Sequence, residues 1–317
     1  MDVIEKPAVA KTAKRHPLGG VLPVFQLPFR DDETIDEATL KQELLWLLDQ
    51  GADGVVMAMV SEVLRLSDTE RRQVAELAVA AVAGRGTAII SVGHESSYVA
   101  CELARHAEAI GAHAVMAIPP ISVAPDETQT RKYYQKIAEA LTIPLIVQDA
   151  SGYVGRPMSI ALQAGLLAEF GPRILFKPEA IPIGPRLSAL LEATDGKACI
   201  LEGTGGIALV DSYRRGIIGT MPGSDLIAGI VALWRALQVG DDRRIYELSL
   251  PISSLIALTN SLDAFLAVEK HLLVKQGVFK NTIVRGPVGY LLDEKTREEV
   301  DRLFAMLCRT IENQRLA

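Results

Sequence analysis

The sequence has few cysteines, no surplus of basic residues and no long uninterrupted hydrophobic run. Its three cysteines, Cys101, Cys199 and Cys308, lie far apart and form no CxxC pair. This spacing argues against a disulfide framework and against a metal site, and it is typical of a reducing compartment. The net charge of -6 argues against a nucleic-acid-binding surface. No apolar stretch reaches the roughly 20 residues of a membrane-spanning helix. We therefore expect no metal, no nucleic-acid partner and no membrane span.

The N-terminus carries Lys6, Lys11, Lys14 and Arg15 among alanines and lacks a hydrophobic signal core. This pattern argues against a secretory signal and makes a cytoplasmic location the default. We predict that residues 1–17 form an N-terminal extension to the main domain.

Eight short apolar segments, most of them apolar throughout, recur along residues 18–238. They span residues 21–29, 55–60, 87–92, 114–118, 144–148, 174–177, 198–201 and 217–220. Continuous apolar runs are expected when both faces of a parallel strand are buried. The segments begin at intervals of roughly 20 to 35 residues, as successive βα units do. With no G-x-G-x-x-G after the first segment, the pattern predicts a (β/α)₈ TIM barrel rather than a dinucleotide-binding sheet.

After this repeat the pattern becomes helical. Residues 241–258, 261–276 and 294–312 each have helical character, with no strand-like segment between them. We predict a C-terminal helical appendage over residues 239–317, packed on the barrel.

Lys177 lies in an apolar segment, Ile174–Glu179, that a proline interrupts directly after the lysine. Burial of an amine in an apolar environment disfavours its charged form, and a neutral amine can form a Schiff base with a ketone. The alternative is a lysine whose ammonium group extends to solvent. Its predicted place at the C-terminal end of strand six is where barrel enzymes hold reactive groups, which favours a catalytic lysine.

Other candidates follow the predicted strands at the same end of the barrel. They are Ser61 and Glu62 after strand two, Gln148 and Asp149 at the end of strand five, and Gly203, Thr204 and Gly205 after strand seven. Glycines at a strand-to-helix turn let backbone amides approach an anion, although tight barrel turns use glycine as well. Glu179 either orients Lys177 or forms an ion pair at the rim, and the sequence does not decide between these roles.

Several short motifs, in this order, resemble the dihydrodipicolinate synthase and N-acetylneuraminate lyase superfamily. They include Gly51-Ala52-Asp53-Gly54, Ser61-Glu62, Val92-Gly93, Gly111-Ala112 and Pro119-Pro120. The resemblance covers about residues 18–310. It implies a lysine-dependent class I aldolase or dehydratase without a further cofactor, usually a tetramer. It also implies that Lys177 is the Schiff-base lysine.

The chain departs from the superfamily pattern at two strands. Met59 and Val60 occupy the places of two threonines, so that Ser61 is the hydroxyl left in this motif. Gln148 stands in place of a proton-relaying tyrosine, and a glutamine cannot act as a general acid or base at ordinary pH. The arginine that binds a substrate carboxylate in the synthases aligns near Tyr153. These departures resemble a divergent branch that includes 2-keto-3-deoxy sugar acid dehydratases.

We therefore predict a Schiff-base-forming lyase acting on a 2-keto acid, as a homo-oligomer, either a tetramer or a dimer. Lys177, Gln148 and Asp149 are the catalytic candidates, with turn capping as the alternative role of Asp149. Ser61, Glu62 and residues 203–205 are the substrate-binding candidates. The alternatives are a dihydrodipicolinate synthase-like condensation with pyruvate, a barrel that binds a metabolite without catalysis, and a phosphate-binding barrel enzyme.

Overall fold

The computed structural model describes residues 16–312. The strands are β1 Gly20–Val21, β2 Gly54–Val56, β3 Thr87–Ser91, β4 Ala114–Ala117, β5 Leu145–Asp149, β6 Ile174–Pro178, β7 Cys199–Glu202 and β8 Gly219–Thr220. The helices that alternate with them are α1 Glu37–Asp49, α2 Asp68–Val82, α3 Ser97–Ala109, α4 Glu127–Glu139, α5 Ile160–Phe170, α6 Ile183–Ala193, α7 Leu209–Arg214 and α8 Ile227–Val239. The chain continues with α9 Asp242–Ile256, α10 Leu262–Lys275 and α11 Glu294–Glu312.

The eight strands form one parallel sheet in the order β1-β8-β7-β6-β5-β4-β3-β2. Val24, just beyond β1, bridges to Val56 of β2 on one side and to Gly223 on the other, which closes the sheet. The predicted (β/α)₈ barrel is confirmed.

The first strand is shorter than its apolar sequence predicts. We expected a strand over residues 21–29, but the regular ladder covers Gly20–Val21 and a bridge at Val24. Pro23 and Pro28 have no amide hydrogen, so neither can donate to a neighbouring strand.

The second strand also ends early, at Val56 rather than at residue 60. The chain turns at Ala58, whose carbonyl accepts a hydrogen bond from the Ser61 amide at 3.0 Å. Glu62 follows with a φ of 56°. Apolar character alone could not distinguish this buried turn from a strand.

Two apolar layers lie on either side of the sheet. Leu175 and Ile146 belong to the layer inside the barrel, whereas Phe176 and Val147 pack between the sheet and the helices. Because side chains alternate along a strand, the residue two positions after Leu175 faces the barrel interior again. That residue is Lys177.

The predicted helix boundaries agree closely with the structure. A capping box starts α2: the Ser67 side chain accepts from the Glu70 amide, while the Glu70 side chain accepts from the Ser67 amide. The three predicted C-terminal helices are α9, α10 and α11. Phe265 and Leu266 of α10 reach the apolar layer inside the barrel.

The predicted extension over residues 1–17 falls almost wholly outside the described residues. Among residues 16–312, no helix combines the length and apolar character needed to cross a membrane. The predicted boundary between the barrel, residues 18–238, and the C-terminal appendage, residues 239–317, remains a prediction.

Candidate active site

Lys177 and Glu179 form a buried pair at the C-terminal end of β6. Lys177 is 2% exposed and Glu179 is 5% exposed. The lysine Nζ lies 3.0 Å from Oε1 of Glu179. Burial raises the pKa of the Glu179 carboxyl, although the adjacent Lys177 acts in the opposite direction. Glu179 therefore contacts the lysine directly, and its burial excludes an ion pair at the solvent-exposed rim.

Gln148 completes this group from the neighbouring strand. It is paired in register with Lys177, and its Nε2 donates to Oε2 of Glu179 at 3.0 Å. Gln148 thus orients the Glu179 carboxylate, which in turn contacts the Lys177 amine. Gln148 occupies the position at which the superfamily resemblance predicted a tyrosine.

A small cavity of about 20 Å³ lies beside Lys177 and Glu179. Gly203 and Gly205 of the predicted glycine-rich loop line it, together with Gly223 and Phe265. A Cβ atom on Gly203 would lie 2.7 Å from Cε of Lys177 and 2.8 Å from Oε1 of Glu179. Glycine at position 203 is therefore required by the close approach of the loop to the buried pair.

Glu202 holds the glycine-rich loop in place. Its Oε1 accepts from the Thr204 amide at 2.5 Å and from the Thr204 hydroxyl. Its Oε2 accepts from the Thr220 hydroxyl at 2.7 Å. The predicted binding residue Thr204 thus hydrogen bonds to Glu202, and the cavity-lining part of the loop is the backbone of Gly203 and Gly205.

Tyr153 lines the same cavity and was not among the predicted site residues. The chain turns back after β5, with the Tyr153 amide donating to the Ala150 carbonyl at 2.9 Å. Burial raises the pKa of the Tyr153 phenol, and the nearby carboxylates of Glu179, Glu269 and Glu202 raise it further. The phenol therefore keeps its proton at neutral pH. The one available signal was its alignment with the carboxylate-binding arginine of the synthases.

Asp149 lies in different surroundings from Lys177. Its carboxylate accepts from the amides of Ser151 at 3.1 Å and Met158 at 2.9 Å, and lies 3.8 Å from Arg186. Asp149 follows Gln148 directly, so strand alternation directs it to the outer layer of the barrel. The structure places it in the turn-capping role that was the alternative prediction.

Ser61 and Glu62 also make structural contacts. The buried Ser61 hydroxyl donates to the Phe25 carbonyl at 2.6 Å and accepts from the Ala58 amide at 3.1 Å. Glu62 forms a fully buried ion pair with Lys270 of α10. Both residues fix the backbone after β2, and neither lines the cavity.

The structure therefore brings together Lys177, Gln148, Gly203 and Gly205 of the predicted residues, and adds Glu179 and Tyr153. Ser61, Glu62 and Thr204 lie in the supporting backbone turns, and Asp149, the last residue of β5, accepts hydrogen bonds from the segment that follows it. Within residues 16–312, no three His, Cys, Asp or Glu side chains are arranged to hold a metal ion.

The chain is similar over most of its length to curated and solved proteins. It is 30% identical over 292 residues to L-2-keto-3-deoxyarabonate dehydratase of Azospirillum brasilense, covering 89% of this chain and 92% of that protein. It is also 30% identical over 288 residues to 4-hydroxy-tetrahydrodipicolinate synthase of Bartonella quintana, covering 90% and 96%.

Among solved structures, YagE is a prophage protein of the dihydrodipicolinic acid synthase family from Escherichia coli K12, solved in complex with pyruvate. It has a TM-score of 0.83 at 22% identity, covering 92% of this chain and 98% of that one. This likeness shows the shared fold. A model of the dihydrodipicolinate synthetase family matches residues 17–306. The predicted superfamily is thus confirmed: the chain belongs to the dihydrodipicolinate synthetase family.

Proposed function

We propose that this protein is a lyase that forms a Schiff base between Lys177 and a 2-keto acid. The observation that carries the proposal is the burial of Lys177 beside Glu179 in a cavity at the C-terminal end of the barrel strands. A lysine ammonium is almost never buried without a partner, and a barrel enzyme assembles its chemistry at this end.

Attack on the keto carbon requires a neutral amine. The Glu179 carboxylate, 3.0 Å from the lysine Nζ, accepts one proton from the ammonium. The nitrogen lone pair then forms a bond to the keto carbon, and the carbinolamine hydroxyl leaves as water with the proton that Glu179 had accepted. This step gives a protonated imine and restores the Glu179 carboxylate. Burial makes Glu179 a stronger base than an exposed glutamate, which favours this transfer.

For the substrate, we propose a 2-keto-3-deoxy sugar acid that loses water. A base removes a proton from C3, and the electron pair moves into the imine to form an enamine. The enamine then expels the C4 hydroxyl, which takes up a proton and leaves as water. Glu179 is placed to act as the base, and the protonated Tyr153 phenol in the same cavity is placed to donate to the leaving hydroxyl. The similarity to the Azospirillum brasilense dehydratase supports this substrate class.

The substrate carboxylate is proposed to lie against the backbone of Gly203 and Gly205. These glycines line the cavity beside Lys177. Ser61, the candidate predicted for this role, has its hydroxyl engaged by backbone groups on both sides. The loop after β7 thus takes over the function expected of the loop after β2.

The test is reduction of the imine with borohydride in the presence of pyruvate, the simplest 2-keto acid, followed by intact and peptide mass measurement. The expected result is one adduct on the peptide that contains Lys177. Lys177→Arg keeps the positive charge beside Glu179 and should form no adduct. Lys270, the other buried lysine among residues 16–312, serves as an internal control. An unmodified protein, or an equal adduct on Lys177→Arg, would contradict the proposal.

A condensation of the synthase type is the second candidate, supported by the similarity to the Bartonella quintana enzyme. Product analysis separates the two candidates. A dehydratase turns over 2-keto-3-deoxy sugar acids, whereas a synthase consumes pyruvate only with an aldehyde partner. A homo-oligomeric state and a cytoplasmic location remain predictions, and light scattering on the purified protein tests the first.

A further inference from the structure

Three buried acids lie behind the wall of the Lys177 cavity, and the proposed reaction does not use them. They are Glu43 of α1, Asp225 after β8, and Glu269 of α10, which we call the acid cluster. Glu43 and Glu269 are 0% exposed, and Asp225 is 6% exposed. Acidic side chains are almost never buried to this extent unless they are paired. The contacts of the cluster therefore require an explanation.

The acid cluster contacts the backbone that forms one wall of the cavity. The Ser224 amide donates to Oε1 of Glu269 at 2.6 Å. The preceding residue, Gly223, lines the cavity, and a Cβ atom there would lie 2.6 Å from the same carboxyl oxygen. The Ser224 hydroxyl donates to the carbonyl of Val24, which also lines the cavity, at 3.0 Å. Glu269 thus holds the Gly223–Ser224 segment, which the Ser224 hydroxyl joins to Val24, just beyond β1.

The hydrogen bonds of the cluster are incomplete when its acids are written as ionised groups. The backbone amide of Gln26 donates to Oε1 of Glu43 at 2.9 Å. The side-chain Nε2 of Gln26 donates to the Val60 carbonyl at 2.8 Å. Three buried oxygens have no partner within hydrogen-bond distance: Oε1 of Gln26, Oε2 of Glu43 and Oε2 of Glu269. All three are acceptors. The Gln26 side chain nevertheless lies close enough to Glu269, and the Ser224 hydroxyl close enough to Glu43, to lower the pKa of each carboxyl. An ionised carboxylate offers only acceptors, whereas a protonated one supplies a donor.

The charges around the cluster are also unbalanced. The cation next to it is Lys270, whose Nζ donates to Glu62 and, at 2.6 Å, to the Ile283 carbonyl. Tyr153 is the remaining titratable group that Glu269 influences across the cavity wall, and its phenol is neutral. Within the described part of the chain, no set of three metal-ligating side chains is arranged to supply a metal cation. Lys270 forms its ion pair with Glu62 and also acts on Glu269 and Glu43, so three buried acids share the single charge of this lysine.

We propose that Glu43 and Glu269 carry protons at neutral pH, and that Glu269 in its acid form is a positioning residue for the wall of the Lys177 cavity. A proton on each carboxyl adds two donors to a group in which the ionised acids offer only acceptors, and Oε1 of Gln26 is an unpartnered acceptor in the same group. Protonation also removes the repulsion between neighbouring buried charges. The role of Glu269 in positioning rests on the proposed function of Lys177, whereas the protonation of the cluster does not.

The pKa values agree in direction with this arrangement. Burial raises the pKa of Glu43 from 4.5 to about 8 and that of Asp225 from 3.8 to about 7. Burial, followed by the neighbouring Asp225, raises the pKa of Glu269 well above its ordinary value. Such a group keeps in the folded state a proton that the unfolded chain releases. The stability that it contributes is complete below about pH 4.5 and is lost as the pH rises toward 8.

The first test is denaturant unfolding of the full chain from about pH 5.5 to about pH 8.5. For each carboxyl that keeps its proton when folded, the unfolding equilibrium constant should rise about tenfold per pH unit. Glu269→Gln and Glu43→Gln place a neutral amide where the acid is proposed. Each variant should match the wild type at the acidic end and show a shallower rise toward alkaline pH. Glu62→Gln is the matched control: burial raises the pKa of Glu62 as well, but its carboxylate pairs with Lys270, so this variant should be destabilised over the whole range.

Two results would overturn the protonation of the cluster. The first result combines two observations. The unfolding constant of the wild type does not change with pH, and Glu269→Gln is as destabilised as Glu62→Gln. Together they would mean that the acids are ionised. The second result is stabilisation of the wild type, but not of Glu269→Gln, by sodium or potassium at constant ionic strength. That result would place a cation in the cluster instead of protons.

The positioning role has its own readout, the rate at which pyruvate and borohydride modify Lys177. The modification rate of Glu269→Gln should lie within about twofold of the wild-type rate at neutral pH. It should also persist at higher pH, because the amide cannot lose a proton. Glu269→Ala removes the acceptor of the Ser224 amide and should lower the rate at least tenfold while the variant is still folded. Equal rates in folded Glu269→Ala and wild type would refute positioning. If the wild type itself forms no adduct, the proposed function fails, whereas the unfolding result still decides the protonation of the cluster.

Discussion

Gly203→Ala should displace the nucleophile while leaving the barrel folded. The added Cβ would lie 2.7 Å from Cε of Lys177, and 2.8 Å and 2.9 Å from Oε1 and Cγ of Glu179. Carbon atoms normally approach to about 3.5–4.0 Å, so these side chains must move by about 1 Å. Gly203 is not among the residues with positive φ, so alanine adds no backbone strain. The atoms that must move belong to the pair that carries the proposed chemistry.

The size of the effect follows from which atoms move. Overpacking of a buried site costs about 1–3 kcal/mol, and the free ends of Lys177 and Glu179 can move more easily than the strands. A displacement of about 1 Å in a reacting group costs about a hundredfold in rate. We expect the rate of reductive pyruvate trapping to fall about a hundredfold, with a loss of unfolding free energy of at most about 3 kcal/mol.

The assay is single-turnover trapping followed by mass measurement, with unfolding measured on the same preparations. Gly286→Ala is the matched control, because a Cβ there would meet nothing within 4 Å, and it should behave as wild type in both assays. If Gly203→Ala is trapped at the wild-type rate, the loop after β7 does not contact Lys177 closely. That result would refute the close approach of the loop to the Lys177 side chain.

Three further variants test the other contacts. Tyr153→Phe should still be trapped by pyruvate but should lose at least tenfold in turnover of a 2-keto-3-deoxy sugar acid, because the proposed proton donor is gone; unchanged turnover would exclude the phenol. Glu62→Gln should lower the free energy of unfolding by about 3–5 kcal/mol, because the buried Lys270 loses its partner. A loss below about 1 kcal/mol in denaturant unfolding would contradict the pairing. Asp149→Asn should lower stability by about 1–3 kcal/mol through its weakened acceptors while trapping persists, whereas loss of trapping in the folded variant would return Asp149 to the catalytic group.

The barrel and its lysine could be predicted because both depend on local pattern. Successive apolar segments gave the order of the strands, and an abrupt end to the apolar run at Lys177 marked the strand end. Glu179, two residues later, was recognised as a neighbour but its role was open. Burial decided that role, and burial at a strand end depends on the loops that cover it. No pattern within Ile174–Glu179 contains that information.

The predicted site residues that lie away from the cavity differ in how well the sequence could have located them. The direction of Asp149 could have been predicted, because it follows Gln148 and adjacent residues of a strand face opposite sides. Ser61 and Glu62 could not, because their partners are remote. Glu62 pairs with Lys270, 208 positions away in the chain. Tyr153 lies in a turn after β5, where neither helical nor strand periodicity indicates the direction of a side chain.

The helix α10 shows why the site cannot be derived from the barrel repeat alone. Its Phe265 lines the Lys177 cavity, its Glu269 accepts from Ser224, and its Lys270 pairs with Glu62. These contacts reach the ends of β1, β2 and β8, where the regular ladder is shortest. Short strands leave the backbone beyond them without ladder hydrogen bonds, and buried backbone groups require partners. The C-terminal helices thus supply the contacts that shape one wall of the cavity, and that wall faces the lysine on β6.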